Sequence, residues 1–250
     1  MASRTAQKHP SGGHMILVIS LDRSHARRQA VTAAMDALGL AFRFVDAVDA
    51  RRDALTPVAP AARIRAAMER DMSDGEKACA LSHRKAYETF LAGEDSHAVI
   101  LEDDAIPSPA FAAFLGAGGH LRHPMILYYH SGARVLRKPG VPALGDHLLF
   151  RLALPANGAV AYSLDRASAE ALLAAQTPVV RKADWPMDIA TLGALVVVPQ
   201  LVGHPDRIAD PGQSLLAAGR TNRRGLRLGR YLRAEYYRRK LLKLTTRRVS

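Results

Sequence analysis

Apolar and polar positions along the chain separate into short blocks that alternate between two periods. Residues 15–21 form an apolar, β-branched run, the pattern of a strand buried on both faces. Ala30, Val31, Ala34, Met35 and Leu38 then recur at helical spacing, with Ser24 placed to cap the helix and Gly39 to stop it. Residues 41–45 make a second strand, so the opening predicts a β-α-β unit with a right-handed crossover. Residues 46–72 are mixed, with two prolines, and predict a loop carrying one short helix around 60–69. Ser73-Asp74-Gly75-Glu76 has the form of a capping box and should open a helix of about 16 residues. On that helix Cys79, His83, Ala86, Tyr87 and Phe90 share one face, which turns His83 inward. Further strand-like runs lie at 96–101, 125–129, 148–154, 158–164 and 192–199. Asn157-Gly158 marks a turn, and Asp165 can cap a helix through Ala167, Ala171 and Leu172.

Composition narrows the class. With 48% hydrophobic and 23% charged residues the chain is of ordinary globular make-up, which excludes intrinsic disorder. No uncharged apolar run reaches the 18–20 residues a membrane span requires. The single cysteine, Cys79, excludes an intramolecular disulfide and, on count alone, a thiolate metal site. Residues 1–14 are polar, with Pro and Gly and no apolar core of a signal peptide, and read as a flexible leader before a cytoplasmic protein. The net charge of +12 is unevenly spread: from residue 220 onward twelve Lys and Arg face Glu235 alone, whereas residues 1–219 carry 23 bases and 22 acids. A near-neutral body of 15–219 with a basic tail at 220–250 points to an appended contact with an anionic surface, lipid headgroups or nucleic acid. A protein built to grip phosphate backbones would spread its bases over the body as well.

The sharpest chemical feature is Glu102-Asp103-Asp104 at the end of the apolar run 98–101. Open α/β sheets bind their ligands beyond the carboxyl ends of strands. Alternation along an extended chain turns Glu102 and Asp104 to the same side, where two carboxylates repel unless a cation joins them. Hard oxygen ligands suit Mg²⁺ or Mn²⁺, which in turn bridges a diphosphate. The bland alternative is a solvated acidic loop, or a cap for the helix near Pro109. Arg23, Arg27 and Arg28 open the first helix, where a strand-to-helix junction commonly meets a nucleotide. Arg23 is favoured for that contact, against three solvated helix charges. Asp46 and Asp49 follow the second strand and suit a base or ribose, or simply cap the loop. His204, beyond the last strand, is a candidate third metal ligand, with a surface histidine as the alternative.

These residues sit in blocks that resemble glycosyltransferase family 25, the lipooligosaccharide galactosyltransferase type, over about residues 15–205. The blocks are Val18-Ile-Ser-Leu-Asp-Arg-Ser24 with Phe44-Val-Asp-Ala-Val-Asp49, then Gly75-Glu-Lys-Ala-Cys-Ala-Leu-Ser-His83, then Val99-Ile-Leu-Glu-Asp-Asp104. A fourth, Gly158-Ala-Val-Ala-Tyr-Ser163 followed by Ala183-Asp-Trp-Pro-Met-Asp188, is similar to the family's C-terminal half. Ser20 departs from the pattern, which more often has Asn there. The resemblance implies a GT-A-like, Rossmann-like α/β fold with a mixed, mainly parallel sheet. It further implies a UDP-sugar donor and an inverting transfer to a hydroxyl assisted by Mn²⁺ or Mg²⁺. In that frame Glu102, Asp104 and His204 hold the metal, and Arg23, Asp46, Asp49, Ser82, His83 and Asp103 meet the donor, with a hydrogen-bonded core residue as the alternative for His83. Inversion also needs a base for the acceptor proton, for which Asp184 is the first candidate and Asp188 the second, with a loop cap or a surface ion pair as the alternative for both. Trp185 between them either stacks on a sugar or packs in the core.

The expectation is therefore a cytoplasmic hexosyltransferase, by resemblance a galactosyltransferase. It would act on an oligosaccharide or glycolipid acceptor, be held peripherally at the inner membrane face by residues 220–250, and have no nucleic-acid partner. Two rivals come from other classes. A nucleic-acid-binding protein acting through its tail is disfavoured by the neutral body. A metal-dependent phosphate hydrolase is disfavoured because no Asp-x-Asp ends the first strand and no histidine pair has metal spacing.

Overall fold

The computed structural model describes residues 14–205, 242 and 244–249. The chain opens with β1 (His14–Ser20), α1 (His25–Ala37) and β2 (Arg43–Asp46), the β-α-β unit expected from its pattern, with β1 and β2 parallel. Gly39, at φ +65°, ends α1 as predicted, but Ser24 makes no side-chain cap bond. α2 (Ala61–Met68) is the short helix of the mixed segment. α3 (Asp74–Leu91) begins at a complete capping box: Ser73 Oγ accepts from the Glu76 amide and the Glu76 carboxylate accepts from the Ser73 amide. β3 (His97–Glu102), β4 (Ile106–Pro107), α4 (Pro109–Gly116) and β5 (Met125–Leu127) follow. The chain continues through β6 (Arg134–Leu136), β7 (Val141–Leu144), β8 (His147–Leu154) and β9 (Ala161–Asp165). Asp165 caps α5 (Arg166–Ala175) by accepting from the Ser168 amide, and β10 (Leu195–Val198), β11 (Val202–Gly203) and β12 (Thr246–Arg248) complete the described elements.

Ten strands form one sheet in the order β12-β6-β8-β10-β5-β9-β3-β1-β2, with β7 on β8, while β4 and β11 pair separately. Following the pairings, seven of the ten run in one direction and β8, β9 and β12 oppose them. This is the α/β architecture of a Rossmann-like, GT-A-like domain. Alternation splits the core in two. Leu17, Ile19 and Ile100 pack with Ala86, Tyr87 and Phe90 of α3, whereas Ile16, Val18, Val99 and Leu101 pack with Val31 and Met35 of α1 and with α4. The carboxyl ends of β1, β2, β3, β5 and β10 consequently share one edge, and the start of β9 reaches it too, where Val160 O accepts from the Glu102 amide.

The end of the basic segment is not a separate tail. β12 lies antiparallel on β6, Arg134 Nε donates to Thr246 Oγ1 at 3.0 Å, and Thr246 and Val249 are buried. The helical face expected around Leu228, Tyr231, Leu232 and Tyr236 lies outside the described residues.

At the opposite edge of the sheet His120 is fully buried against the rings of His14 and His97, and neither of its ring nitrogens has a hydrogen-bond partner. Burial pushes its pKa from 6.5 down to about 3, helped by the two neighbouring histidines. Between those values the unfolded chain takes up a proton that the native state refuses, so stability falls as pH drops through the window, by up to about 1.4 kcal/mol per pH unit. Urea unfolding of His120→Phe, stepped through the same window, should show a shallower loss than the parent. His97, also lowered by burial, keeps its share in both proteins. Equal slopes would remove His120 from the acid sensitivity.

Candidate active site

β3 delivers three consecutive carboxylates to the shared edge, and the structure disposes of them in two directions. The strand stops at Glu102, and a turn closed by the Ala105 amide donating to Glu102 O carries Asp103 and Asp104. Alternation stops with the strand, so the expectation that Glu102 and Asp104 share a side is corrected. Glu102 keeps the α3 face, following Ile100. Asp103 and Asp104 turn to the α1 face, where Arg27 Nη1 donates to Asp103 Oδ1 at 3.0 Å and lies 3.5 Å from Asp104 Oδ2. Ser20 Oγ, at the end of β1, donates to Asp103 Oδ2 at 2.7 Å.

The third partner arrives from far along the sequence. The short ladder of β4 with β11, fixed by Ser108 Oγ donating to Leu201 O, brings His204 Nε2 to 3.5 Å from Asp104 Oδ2. Asp104 Oδ1 is buried with no hydrogen-bond partner. A cleft of about 280 Å³ opens here, lined by Arg27, Asp103, Asp104, Ile106 and His204 among others. Two of the three expected metal ligands, Asp104 and His204, are thus brought together, and the orphaned oxygen fits a cation. Glu102 is not with them. Of the three arginines at the start of the first helix, Arg27 lines this cleft and Arg23 pairs with Asp49; the signal of Arg27 in the sequence was its place early in a helix that starts beside the end of β1.

On the α3 face Glu102 Oε1 lies 3.1 Å from His83 Nε2, and His83 Nδ1 lies 2.8 Å from the hydroxyl of Tyr162, which donates to Tyr87. His83 points inward as its helical position required and is fully buried. Burial pushes Glu102 above the ordinary carboxylate range, with His83 opposing the shift.

The remaining donor candidates join loops to one another. Arg23 Nε is bonded to Asp49, and that contact, together with the Arg51 amide, holds the Asp49 carboxyl below its usual range. Asp46 is an exposed partner of Arg28. Ser82 is buried: its hydroxyl donates to Ala78 O at 2.7 Å and accepts from the Val48 amide at 2.9 Å, tying the loop after β2 to α3. In this geometry Ser82 supports the edge from behind and does not line the cleft.

Neither candidate base stands free. Asp184 Oδ1 accepts from the amides of Gly158 and Ala159 at 2.8 and 3.2 Å, and Oδ2 takes the Lys182 ammonium. Burial would raise its pKa, but Lys182 and the two amides outweigh that and hold it low, the reverse of what a base needs. Gly158 is required at this turn: its φ is +100°, and a Cβ there would lie 2.7 Å from the Tyr129 ring. Asp188 caps the 3-10 turn Ile189–Leu192 through the Ala190 amide. Trp185 packs in the core, with its ring Nε1–H donating to Ala156 O at 2.8 Å and its edge against Tyr162, at a backbone φ of +86°.

Against known proteins, residues 14–135 match the family model described as Glycosyltransferase family 25 (LPS biosynthesis protein). No curated protein matches the chain. The matched segment holds the acidic strand end, His83 and Arg27, while His204, Asp184 and Asp188 lie beyond it.

The geometry assigns Asp184 to architecture first. Asp184→Ala leaves two amides at the start of the β9 approach without an acceptor and should cost about 1–3 kcal/mol, read as a fall in the urea midpoint. Asp188→Ala, which removes one cap bond, should cost about 1 kcal/mol. An Asp184→Ala protein as stable as its parent but inactive would return this carboxylate to the chemistry.

Proposed function

We propose, from the match of residues 14–135 to the model of glycosyltransferase family 25, described as an LPS biosynthesis protein, together with the cleft at Asp104, a metal-assisted, inverting transfer of a hexose from a UDP-sugar. The acceptor in this reading is a hydroxyl of a lipid-linked oligosaccharide, and galactose is the sugar by resemblance to the family. One observation carries it: a buried carboxylate oxygen with no partner, Asp104 Oδ1, beside His204 in a cleft rimmed by Arg27. Asp104 and His204 would hold Mn²⁺ or Mg²⁺, which when bound offsets the charge that develops on a diphosphate leaving group. Arg27 adds a second positive charge at the same place and keeps Asp103 turned toward the α1 face. Asp103, held by Ser20 and Arg27, fixes the floor of the cleft. Arg23 and Asp49 brace the loops above β1 and β2, where the nucleotide would lie.

UDP should raise the thermal midpoint further with Mn²⁺ than with EDTA, because a ligand that binds only the folded state shifts the midpoint with its affinity. Asp104→Asn should abolish that difference and leave the midpoint without ligand nearly unchanged. Equal stabilisation by UDP in EDTA would count against the bridging ion.

Among the described residues no helix is long and apolar enough to cross a membrane. The basic residues 220–240 support a peripheral contact with an anionic leaflet, each base contributing about 1 kcal/mol near the surface and less as salt rises. Because β12 belongs to the sheet, charge removal is a cleaner test than deletion of the tail. Replacing Arg220, Arg223, Arg224 and Arg227 by Gln should release the protein from anionic vesicles at low salt while transfer to a soluble acceptor persists. Unchanged co-sedimentation would remove these bases from membrane contact, and tighter binding to duplex DNA than to vesicles would favour the nucleic-acid rival.

A further inference from the structure

A second cluster lies on the other face of the same strand end. Cys79 and His83 are one helical turn apart on α3, and the Cys79 Sγ, a His83 ring nitrogen and a Glu102 carboxylate oxygen all fall within 4.8 Å of one another. The count of cysteines alone had excluded a thiolate site. The fold supplies the missing ligands from a histidine on the same helix and a carboxylate on the neighbouring strand.

The hydrogen-bond chain behind the cluster fixes which lone pairs face it. Tyr162 donates its hydroxyl proton to Tyr87, so the 2.8 Å contact to His83 is made by Nδ1–H donating to the Tyr162 oxygen. In that tautomer Nε2 carries a lone pair, and it faces Glu102 Oε1 at 3.1 Å. Two acceptors set against each other at this distance need a cation or a shared proton between them. A histidine whose remote N–H is held by a buried partner is the arrangement found behind metal-bound imidazoles. His83 is fully buried, whereas Glu102 and Cys79 are partly exposed, which leaves an approach from the sheet edge.

We propose that Cys79, His83 and Glu102 form a binding site for a borderline divalent cation of the Zn²⁺ class, separate from the oxygen-rich site at Asp104. Sulfur and imidazole ligands select Zn²⁺ over Mn²⁺ or Mg²⁺, so the two faces of β3 differ in the metal they prefer. Three protein ligands leave one position for a water or hydroxyl, the coordination typical of an accessible zinc. Binding requires Cys79 as thiolate and therefore releases its proton to solvent.

The full-length protein, stripped with EDTA and titrated with Co²⁺, tests the site directly. One equivalent should develop thiolate-to-cobalt charge-transfer absorption together with tetrahedral ligand-field bands, and Cys79 is the only sulfur in the chain that can supply a thiolate. Cys79→Ser should lose the charge-transfer band. Asp104→Asn should keep it, which separates this site from the proposed diphosphate-bridging one. Tyr162→Phe should weaken binding by about tenfold or more, because it removes the partner that orients His83. A second measurement needs no variant: Zn²⁺ should slow alkylation of Cys79 by iodoacetamide. Cobalt spectra without a thiolate band, or alkylation at one rate with and without Zn²⁺, would overturn the proposal and leave a proton between His83 and Glu102.

Discussion

Three adjacent carboxylates at the end of a buried strand cannot share one environment, and the construction of this edge follows from separating them. Glu102 remains on the strand and is matched by His83 from α3. Asp103 is matched by Ser20 and Arg27 from β1 and α1, and Asp104 by Arg27 and by His204 from the far side of the fold. Each match recruits a different element. The neutralising groups therefore also fix the orientation of the two helices against the sheet and the path of the chain beyond β10. Like-charge repulsion, relieved by partners from both faces, turns a sequence of three acids into two distinct settings.

This division gives the same short motif two different sets of neighbouring groups. The α1 face is rich in oxygen and cation, with an arginine already present. The α3 face offers sulfur, imidazole and a carboxylate in front of two buried tyrosines. Burial pushes both Tyr87 and Tyr162 well above their usual range, so their hydroxyls stay protonated and act as fixed dipoles. A group bound at either place would meet a rigid background, since the side chains that line it are themselves held by packing or by hydrogen bonds from a neighbouring element.

Much of the fold was legible because its signals are local. The capping box at Ser73, the stop at Gly39, the cap at Asp165 and the apolar runs of β1, β3 and β9 each depend on a few consecutive residues, and the structure keeps them. What could not be read depends on partners distant in sequence. The antiparallel additions β6, β7 and β12 have ordinary or weak patterns, and β12 gains its meaning only from β6, more than a hundred residues earlier. In the site, His83 was legible from helical phase. The separation of Glu102 from Asp104 was not, because alternation is a rule for extended chain and the strand ends one residue too soon. Which of Arg23, Arg27 and Arg28 meets the acids was not legible for a related reason: three arginines on one helix start look alike until the turn at Asp103 shows that it faces Arg27. Asp184 carried a plausible sequence context, yet its oxygens are committed to Gly158, Ala159 and Lys182, contacts that a linear reading cannot see.

The ladder of β4 with β11 is only two residues long, and it is what delivers His204 to Asp104. It is nevertheless anchored in the core: Leu201 and Val202 are buried, and the amides of both donate to Tyr128 O, directly after β5. Opening such a segment would uncover apolar surface as well as break hydrogen bonds, which places its local free energy nearer to that of global unfolding. The α1-face pocket therefore shares the stability of the sheet it stands on, and His204 is carried to Asp104 by a segment whose apolar side chains belong to the domain core. A group binding between Asp104 and His204 would find its ligands already placed, and little of its affinity would go to ordering them.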